Sequence, residues 1–361
     1  SLGVGEPDFD TPWHIREEAI YAIEKGRTFY SANAGLPELR KEICRYLKRR
    51  FQLEYAWNSD ILVTVGGSEA IDIALRAMLN PGDEVLIPQP SYVSYVPCTV
   101  LAGGTPVIIE LEEKDEFRLT PEKLLEKITP KTKILIMPFP NNPTGAIMER
   151  EDLEKIAKIV EEKDLFVISD EIYSELTYKG HHVTIASLPG MKERTVLING
   201  FSKSYAMTGW RLGYAAAPKE ILRQMLKIHQ FAIMCAPTTS QYAAVSALRN
   251  GDGDVETMRE AYAQRRRYLV HALREMGLEC FEPYGAFYVF PSIKKFGMSS
   301  DEFATRLLRE EKVAVVPGTA FGDCGEGYLR LSYAYSLESL KVALDRIRNF
   351  VERLEKEQGL R

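Results

Sequence analysis

Short β-rich apolar runs alternate with helical patterns through the first two-thirds of the chain. Residues 61–65, 84–88, 107–111, 133–138, 165–169, 195–199 and 212–216 read as strands. Between them, apolar positions recur at the three- and four-residue spacing of helices. One such segment carries Leu153, Ile156, Ala157 and Val160 on one face, with Glu149, Glu151 and Asp152 where a helix N-terminus favours negative charge. It is expected to be a crossover helix with an ordinary core face. This alternation predicts βαβ units and a largely parallel sheet, an α/β fold flanked by helices. After about residue 237 long amphipathic helices follow, and from 278 the strands 286–290, 313–316 and 328–332 predict a smaller α+β domain. Leu340, Leu344, Ile347, Val351 and Leu354 then mark one face of a long final helix.

Composition narrows the class. The 361 residues suffice for a full core, and 45% hydrophobic with 27% charged residues is ordinary for a globular chain, which excludes disordered and fibrous classes. With 46 basic against 51 acidic residues the net charge is −5, so electrostatics give no reason to expect nucleic acid as a partner. The run Arg265-Arg266-Arg267 reads as a solvated helix face. Cys44, Cys98, Cys235, Cys280 and Cys324 lie far apart without metal-ligand spacing, so no metal is expected and a reduced, cytoplasmic protein is the simplest account. No apolar run reaches the roughly 20 residues needed to span a bilayer, so no membrane partner is expected. No charged-then-apolar leader stands at the start, but the chain begins at Ser1 without an initiator methionine, and that observation carries little weight.

In open α/β sheets ligands collect beyond the carboxyl ends of strands, and four segments fall there: Gly66-Gly67-Ser68, residues 141–145, residues 170–173, and Lys203. Gly66-Gly67-Ser68 opens a helix whose free N–H groups and dipole could hold a phosphate, though a plain strand-to-helix turn has the same residues. Neither dinucleotide nor nucleoside triphosphate signatures are present. Asn141-Asn142-Pro143-Thr144-Gly145 is either a turn or the seat of an amide that donates to a phenolate oxygen. Asp170 is either a helix cap or a site carboxylate, with Tyr173 three residues on to share its face. Lysine is a surface residue by default, but Phe201 and Tyr205 would give Lys203 an apolar surround. Such a setting lowers an ammonium pKa from about 10.4 toward the roughly 7–8 useful in acid–base work. Arg211 is open to an ion pair or to bidentate phosphate binding. On the alternating strand 327–333, Arg330 faces either solvent or a pocket. An amine, a carboxylate, a phenol and a guanidinium at strand ends suit pyridoxal phosphate: the lysine can form a Schiff base, and the carboxylate can keep a pyridine nitrogen protonated.

In combination, Asn-Pro-Thr-Gly at 142–145, Ser-Asp-Glu-Ile-Tyr at 169–173, Ser-Lys at 202–203 and Gly-Trp-Arg at 209–211 are specific. Together with Gly3-Val4-Gly5-Glu6-Pro7-Asp8-Phe9 and residues 30–40, they make the chain resemble class I pyridoxal phosphate aminotransferases of fold type I, in the gamma subgroup of aspartate and aromatic enzymes. The resemblance runs over nearly the whole length. It implies a large domain over 14–270 with a mostly parallel seven-stranded sheet, and a small domain built from 1–13 and 271–361. Lys203 would then carry the cofactor and shuttle the proton at the substrate α-carbon. Asp170 would face the pyridine nitrogen, Asn142 and Tyr173 the phenolic oxygen, and Tyr92 would stack on the ring. Gly67, Ser68, Arg211 and Ser202 would hold the phosphate. Tyr30 would reach the neighbouring subunit's phosphate, implying a homodimer. Arg330 would clamp the substrate carboxylate with help from Gly5 and Asn142. Amino acids and 2-oxo acids, with 2-oxoglutarate as acceptor, are the implied substrates. Two features set the chain apart from aspartate-selective relatives: tyrosine rather than tryptophan at 92, and no identifiable cation for a distal carboxylate. Residues 233–241 resemble broad-range, aromatic or acyl-diaminopimelate enzymes. The same family includes β-lyases and other carbanion enzymes, and its fold also serves as a ligand sensor when fused to a DNA-binding domain, of which this sequence has no trace.

Overall fold

The computed structural model of the protein describes residues 1–359; Leu360 and Arg361, the end of the expected small domain, lie outside the described residues. Seven strands form the main sheet: β1 (Ile61–Thr64), β2 (Glu84–Gln89), β3 (Thr105–Glu110), β4 (Thr132–Met137), β5 (Phe166–Asp170), β6 (Thr195–Gly200) and β7 (Gly213–Ala216). Their order is β1-β7-β6-β5-β4-β2-β3. All neighbours among β2 to β6 are parallel, and β7 runs antiparallel to both β1 and β6. The predicted strands are all present, with ends shifted by a residue or two.

Side chains that alternate along a strand serve opposite faces of the sheet. On β6, Leu197 joins the cluster with Ile61, Val63, Tyr214 and Ala216, whereas Val196 and Ile198 join Leu62, Ile134, Ile168 and Ala215. Both faces are covered by helices, which is why these strands read as continuous apolar runs. The crossover helix Arg150–Glu162 buries Leu153, Ile156, Ala157 and Val160 as its spacing requires, and a reciprocal capping box between Glu149 and Asp152 starts it.

A second sheet, ordered β8-β10-β9, holds β8 (Tyr288–Val289), β9 (Val316–Pro317) and β10 (Leu329–Ser332) in antiparallel pairing. The strand expected at 313–316 is shorter and later. The Ala314 carbonyl is taken by the Leu2 N–H, and ladder pairing with β10 starts only at Val316. The N-terminal segment thus forms a strap beside this sheet, with the Ser332 N–H bonded to the Leu2 carbonyl. The final helix, Leu337–Glu357, buries the five apolar positions that its sequence spacing marked. The 24-residue helix Asp252–Glu275 runs without a break through position 270, so one rigid element spans the expected domain boundary. Among the described residues no helix is long and apolar enough to cross a membrane.

The antiparallel direction of β7 brings distant segments of the chain to one edge of the sheet. Its amino end, Gly213, pairs with the carboxyl ends of β1 at Thr64 and β6 at Gly200, so residues entering β7 arrive where residues leave β1 and β6. That junction is tight. A Cβ on Gly213 would lie 2.6 Å from the Gly66 carbonyl carbon and 2.7 Å from the Gly67 nitrogen, both backbone atoms that cannot swing away. Gly213→Ala is therefore expected to destabilise the protein by about 1–3 kcal/mol through overpacking, seen as a lower urea midpoint with an unchanged slope. The same substitution would push the start of the helix Gly66–Met78 out of place; an unaltered midpoint would show that the turn yields.

Candidate active site

The carboxyl ends of β1, β4, β5 and β6 and the amino end of β7 surround a cavity of about 340 Å³. Gly67 and Ser68 line it from the first turn of the helix Gly66–Met78, where backbone N–H groups lack intrahelical acceptors. Gly66, at φ +75°, has a conformation that suits glycine, and a Cβ there would lie 2.8 Å from Arg211 Nη2. The Arg211 guanidinium therefore sits directly against the helix start. Its own backbone is left-handed at φ +52°, a costly conformation that places the side chain at this edge, and its Nη1 donates to the Thr208 carbonyl at 2.9 Å. Ser202 completes this corner.

Asp170 ends β5 almost fully buried. No helix follows it. Its carboxylate instead accepts from the Tyr95 hydroxyl at 2.8 Å and from the Ile172 N–H at 3.3 Å. Burial raises its pKa, while those two donors oppose the rise. Tyr92 also lines the cavity and packs edge-on against Tyr95, with ring centres 5.6 Å apart. Residues 141–145 form a turn, the Gly145 N–H bonding to the Asn141 carbonyl at 2.9 Å. The Asn141 side chain ties the turn, accepting from the Thr144 N–H at 3.1 Å and its hydroxyl at 2.9 Å, and leaves Asn142 free to enter the cavity.

Lys203 Nζ donates to the Gly5 carbonyl at 2.5 Å. Its pKa is lowered to about 8, chiefly by burial; Glu6 opposes this, and the Arg330 and Arg211 charges add to it. The apolar surround does not come from the sequence neighbours. Phe201 and Tyr205 pack against each other and belong to a core cluster with Tyr214, and the ammonium instead lies over the Phe287 ring, 5.7 Å from its centre. Adjacency along the chain was a poor guide because successive side chains leave the backbone in different directions.

Arg330 faces the pocket rather than solvent. Its Nη1 donates to Asn142 Oδ1 at 2.9 Å and its Nη2 to the Gly3 carbonyl at 2.5 Å, while its buried Nε has no partner. A buried guanidinium whose Nε–H finds no partner is poised for an anionic ligand. Gly5, Tyr173 and Arg330 line the cavity together. Of the residues to which the resemblance gives a role in the site, Tyr30 alone does not line the cavity and is 79% exposed on the surface. Tyr95, Thr208 and Tyr288 also line the cavity and carried no sequence signal of their own. Tyr95 stands one helical turn after Tyr92, a spacing that could have drawn attention to it.

The model of the family described as "Aminotransferase class I and II" matches residues 1–347. The chain belongs to that family. Its relatives include an aspartate aminotransferase of Pyrococcus abyssi, 50% identical over 96% of this chain and 90% of that protein. An aromatic-amino-acid aminotransferase of Thermococcus litoralis is 48% identical, again over 96% and 90%. The crystal structure of an aromatic aminotransferase from Pyrococcus horikoshii superimposes with a TM-score of 0.96 at 48% identity, covering 100% of this chain and 96% of that one. The aminotransferase is accordingly a pyridoxal 5'-phosphate-dependent enzyme of the α/β, fold-type-I architecture. Its cavity fits that cofactor: a guanidinium beside free N–H groups for a phosphate, a buried carboxylate, and an amine with a depressed pKa.

Proposed function

We propose that the aminotransferase moves an amino group from an L-amino acid to a 2-oxo acid, with 2-oxoglutarate as acceptor, in two half-reactions at this cavity. The observation that carries the reading is the convergence of Lys203, Asp170, Arg211 and Arg330 on one cavity. Bound pyridoxal phosphate supplies an aldehyde for the amino group and a pyridinium ring that absorbs electrons released at the substrate α-carbon. Lys203 would hold the cofactor through Nζ, and as a free amine that same atom would accept the α-proton, a role that suits an amine whose pKa is about 8. Asp170 would hold the pyridine nitrogen protonated, and Tyr92 would support the ring face. Asn142 and Tyr173 would donate to the phenolic oxygen. Gly67, Ser68, Ser202 and Arg211 would bind the phosphate, while Arg330, Asn142 and Gly5 would hold the substrate carboxylate. The strap 1–13 and the residues from 271 on would make up a small domain beside the body 14–270, with the helix Asp252–Glu275 joining the two.

The only cations lining the cavity among the described residues are Lys203, Arg211 and Arg330, each already engaged in these roles. A second carboxylate, on aspartate or on 2-oxoglutarate alike, meets no further cation of this chain at the cavity; it therefore gains no preference over other side chains, and aromatic donors are expected to exceed aspartate in kcat/KM while monocarboxylic 2-oxo acids serve as acceptors beside 2-oxoglutarate. A panel of single amino acids added without an oxo acid tests the reaction class: the visible band of the bound cofactor should disappear and return on addition of 2-oxoglutarate. Retention of the band with every donor would reject transamination in favour of ligand sensing, and release of a side-chain fragment would indicate a lyase.

A cytoplasmic homodimer completes the proposal. Phe29 and Tyr30 are 81% and 79% exposed, and nearby Ile233 and Met234 are also exposed; the two stretches are tied by hydrogen bonds from Asn33 to the Met234 carbonyl and from Thr238 to the Phe29 carbonyl. Exposed aromatic and apolar side chains so grouped suit burial by a second copy, which would bring Tyr30 to the partner's phosphate.

A further inference from the structure

Tyr288, on β8, touches three residues of the site without having been visible in the sequence. It is 1% exposed. Its hydroxyl lies 2.8 Å from the Tyr173 hydroxyl, and its ring centre lies 4.6 Å from the Arg330 guanidinium carbon. The N-terminal strap passes so close that a Cβ on Gly5 would come within 2.1 Å of that hydroxyl. The phenol is thus held on three sides.

We propose that Tyr288 is a positioning residue of the transamination site: its hydroxyl donates to the Tyr173 oxygen and leaves the Tyr173 proton directed at the bound cofactor, while its ring fixes the Arg330 guanidinium for the substrate carboxylate. This rests on the transaminase reading of the cavity. Each phenol has one proton, and in the pair alone either hydroxyl can donate. If Tyr173 gave its proton to Tyr288 it would have none for the cofactor's phenolic oxygen, so only the opposite polarity serves the reaction. A hydroxyl that accepts one hydrogen bond also donates its own more strongly. The titratable groups facing Tyr288 are Arg330, Tyr173, Tyr92 and Tyr335, and burial keeps its phenol protonated. The ring contributes separately: Arg330 also lies 4.8 Å from the Phe321 ring, so its guanidinium is held by two aromatic rings as well as by Asn142 and Gly3.

The test uses the cofactor-loaded protein. In Tyr288→Phe the pH midpoint of the cofactor's absorbance change should rise by about half a unit to one unit, the worth of one neutral hydrogen bond, with KM for the amino donor nearly unchanged. In a Tyr173→Phe background the same substitution should shift the midpoint no further, because the hydrogen-bonded link is already cut. Tyr288→Leu, which removes the ring, should raise KM about 10-fold with a smaller change in kcat. Tyr288→Met serves the same comparison if the leucine variant does not fold. A wild-type midpoint in Tyr288→Phe, an equal shift in the Tyr173→Phe background, or a wild-type KM in the ring-deleted variant would overturn the proposal. Failure of the wild-type protein to take up cofactor or to change absorbance with amino acids would instead overturn the transaminase reading itself.

Discussion

Lys203→Ala is expected to lower turnover by about 10⁴-fold or more, the upper end of what one positioned acid–base group contributes, and to abolish covalent retention of the cofactor. Alanine leaves the cavity and its phosphate corner in place, so the variant should still bind cofactor reversibly, separating loss of chemistry from loss of fold. Near-normal rates, or cofactor retained through denaturation, would remove Lys203 from its role. The amine also carries a stability signature in the cofactor-free protein. It titrates near 8 when folded against 10.5 for an ordinary lysine. Below pH 8 the ammonium is charged in both states and the folded site bears the whole cost of burying it. Between 8 and 10.5 the folded amine is neutral while the unfolded one is still charged, so that cost fades. Lys203→Met should therefore stabilise the cofactor-free protein near neutral pH, by at most about 3 kcal/mol, and the advantage should shrink as pH rises toward 10.5. Urea midpoints of both forms at neutral pH and at about pH 10 measure it. A constant difference would mean that the lysine is solvated.

Arg330→Lys should lower kcat/KM for every amino donor by about 10²–10³-fold, the range for losing one partner of a buried charged hydrogen bond. Charge is conserved in this substitution, but geometry is not. The guanidinium reaches Asn142 Oδ1 and the Gly3 carbonyl at once and keeps Nε free, and an ammonium on a shorter stem cannot hold that fork. The loss should fall on KM for the amino acid and leave cofactor affinity near wild type, because Arg330 is assigned to substrate rather than to phosphate. A variant with unchanged KM, or with weakened cofactor binding alone, would place the substrate carboxylate elsewhere.

Much of this architecture was legible in the order of residues. Strand positions in the main sheet followed from apolar runs because a sheet covered on both faces leaves no polar side to blur them, and the crossover and final helices followed from their periodic faces. Legibility fell where strands are two residues long, as at β8 and β9, since so few ladder bonds leave no pattern to read. Cavity-lining positions at glycine turns and strand ends were legible for a different reason: backbone geometry restricts what can stand there. Tyr95, Tyr288 and Phe287 were not, because tyrosine and phenylalanine on an apolar element look like core whether or not they border a cavity.

The chain's amino-acid order put an amine, a carboxylate and a guanidinium next to strand ends in an α/β pattern, and left a second guanidinium, Arg330, within a strand and open to solvent or to a pocket. Distances, partners and protonation were decided only by the tertiary structure. Lys203 and Gly5 are 198 residues apart, and Arg330 and Gly3 are 327 apart, yet each pair is hydrogen-bonded. Contacts of that separation depend on how the two sheets and the N-terminal strap pack, and so does the burial that sets the Lys203 pKa, because desolvation comes from surrounding atoms rather than from neighbours along the chain.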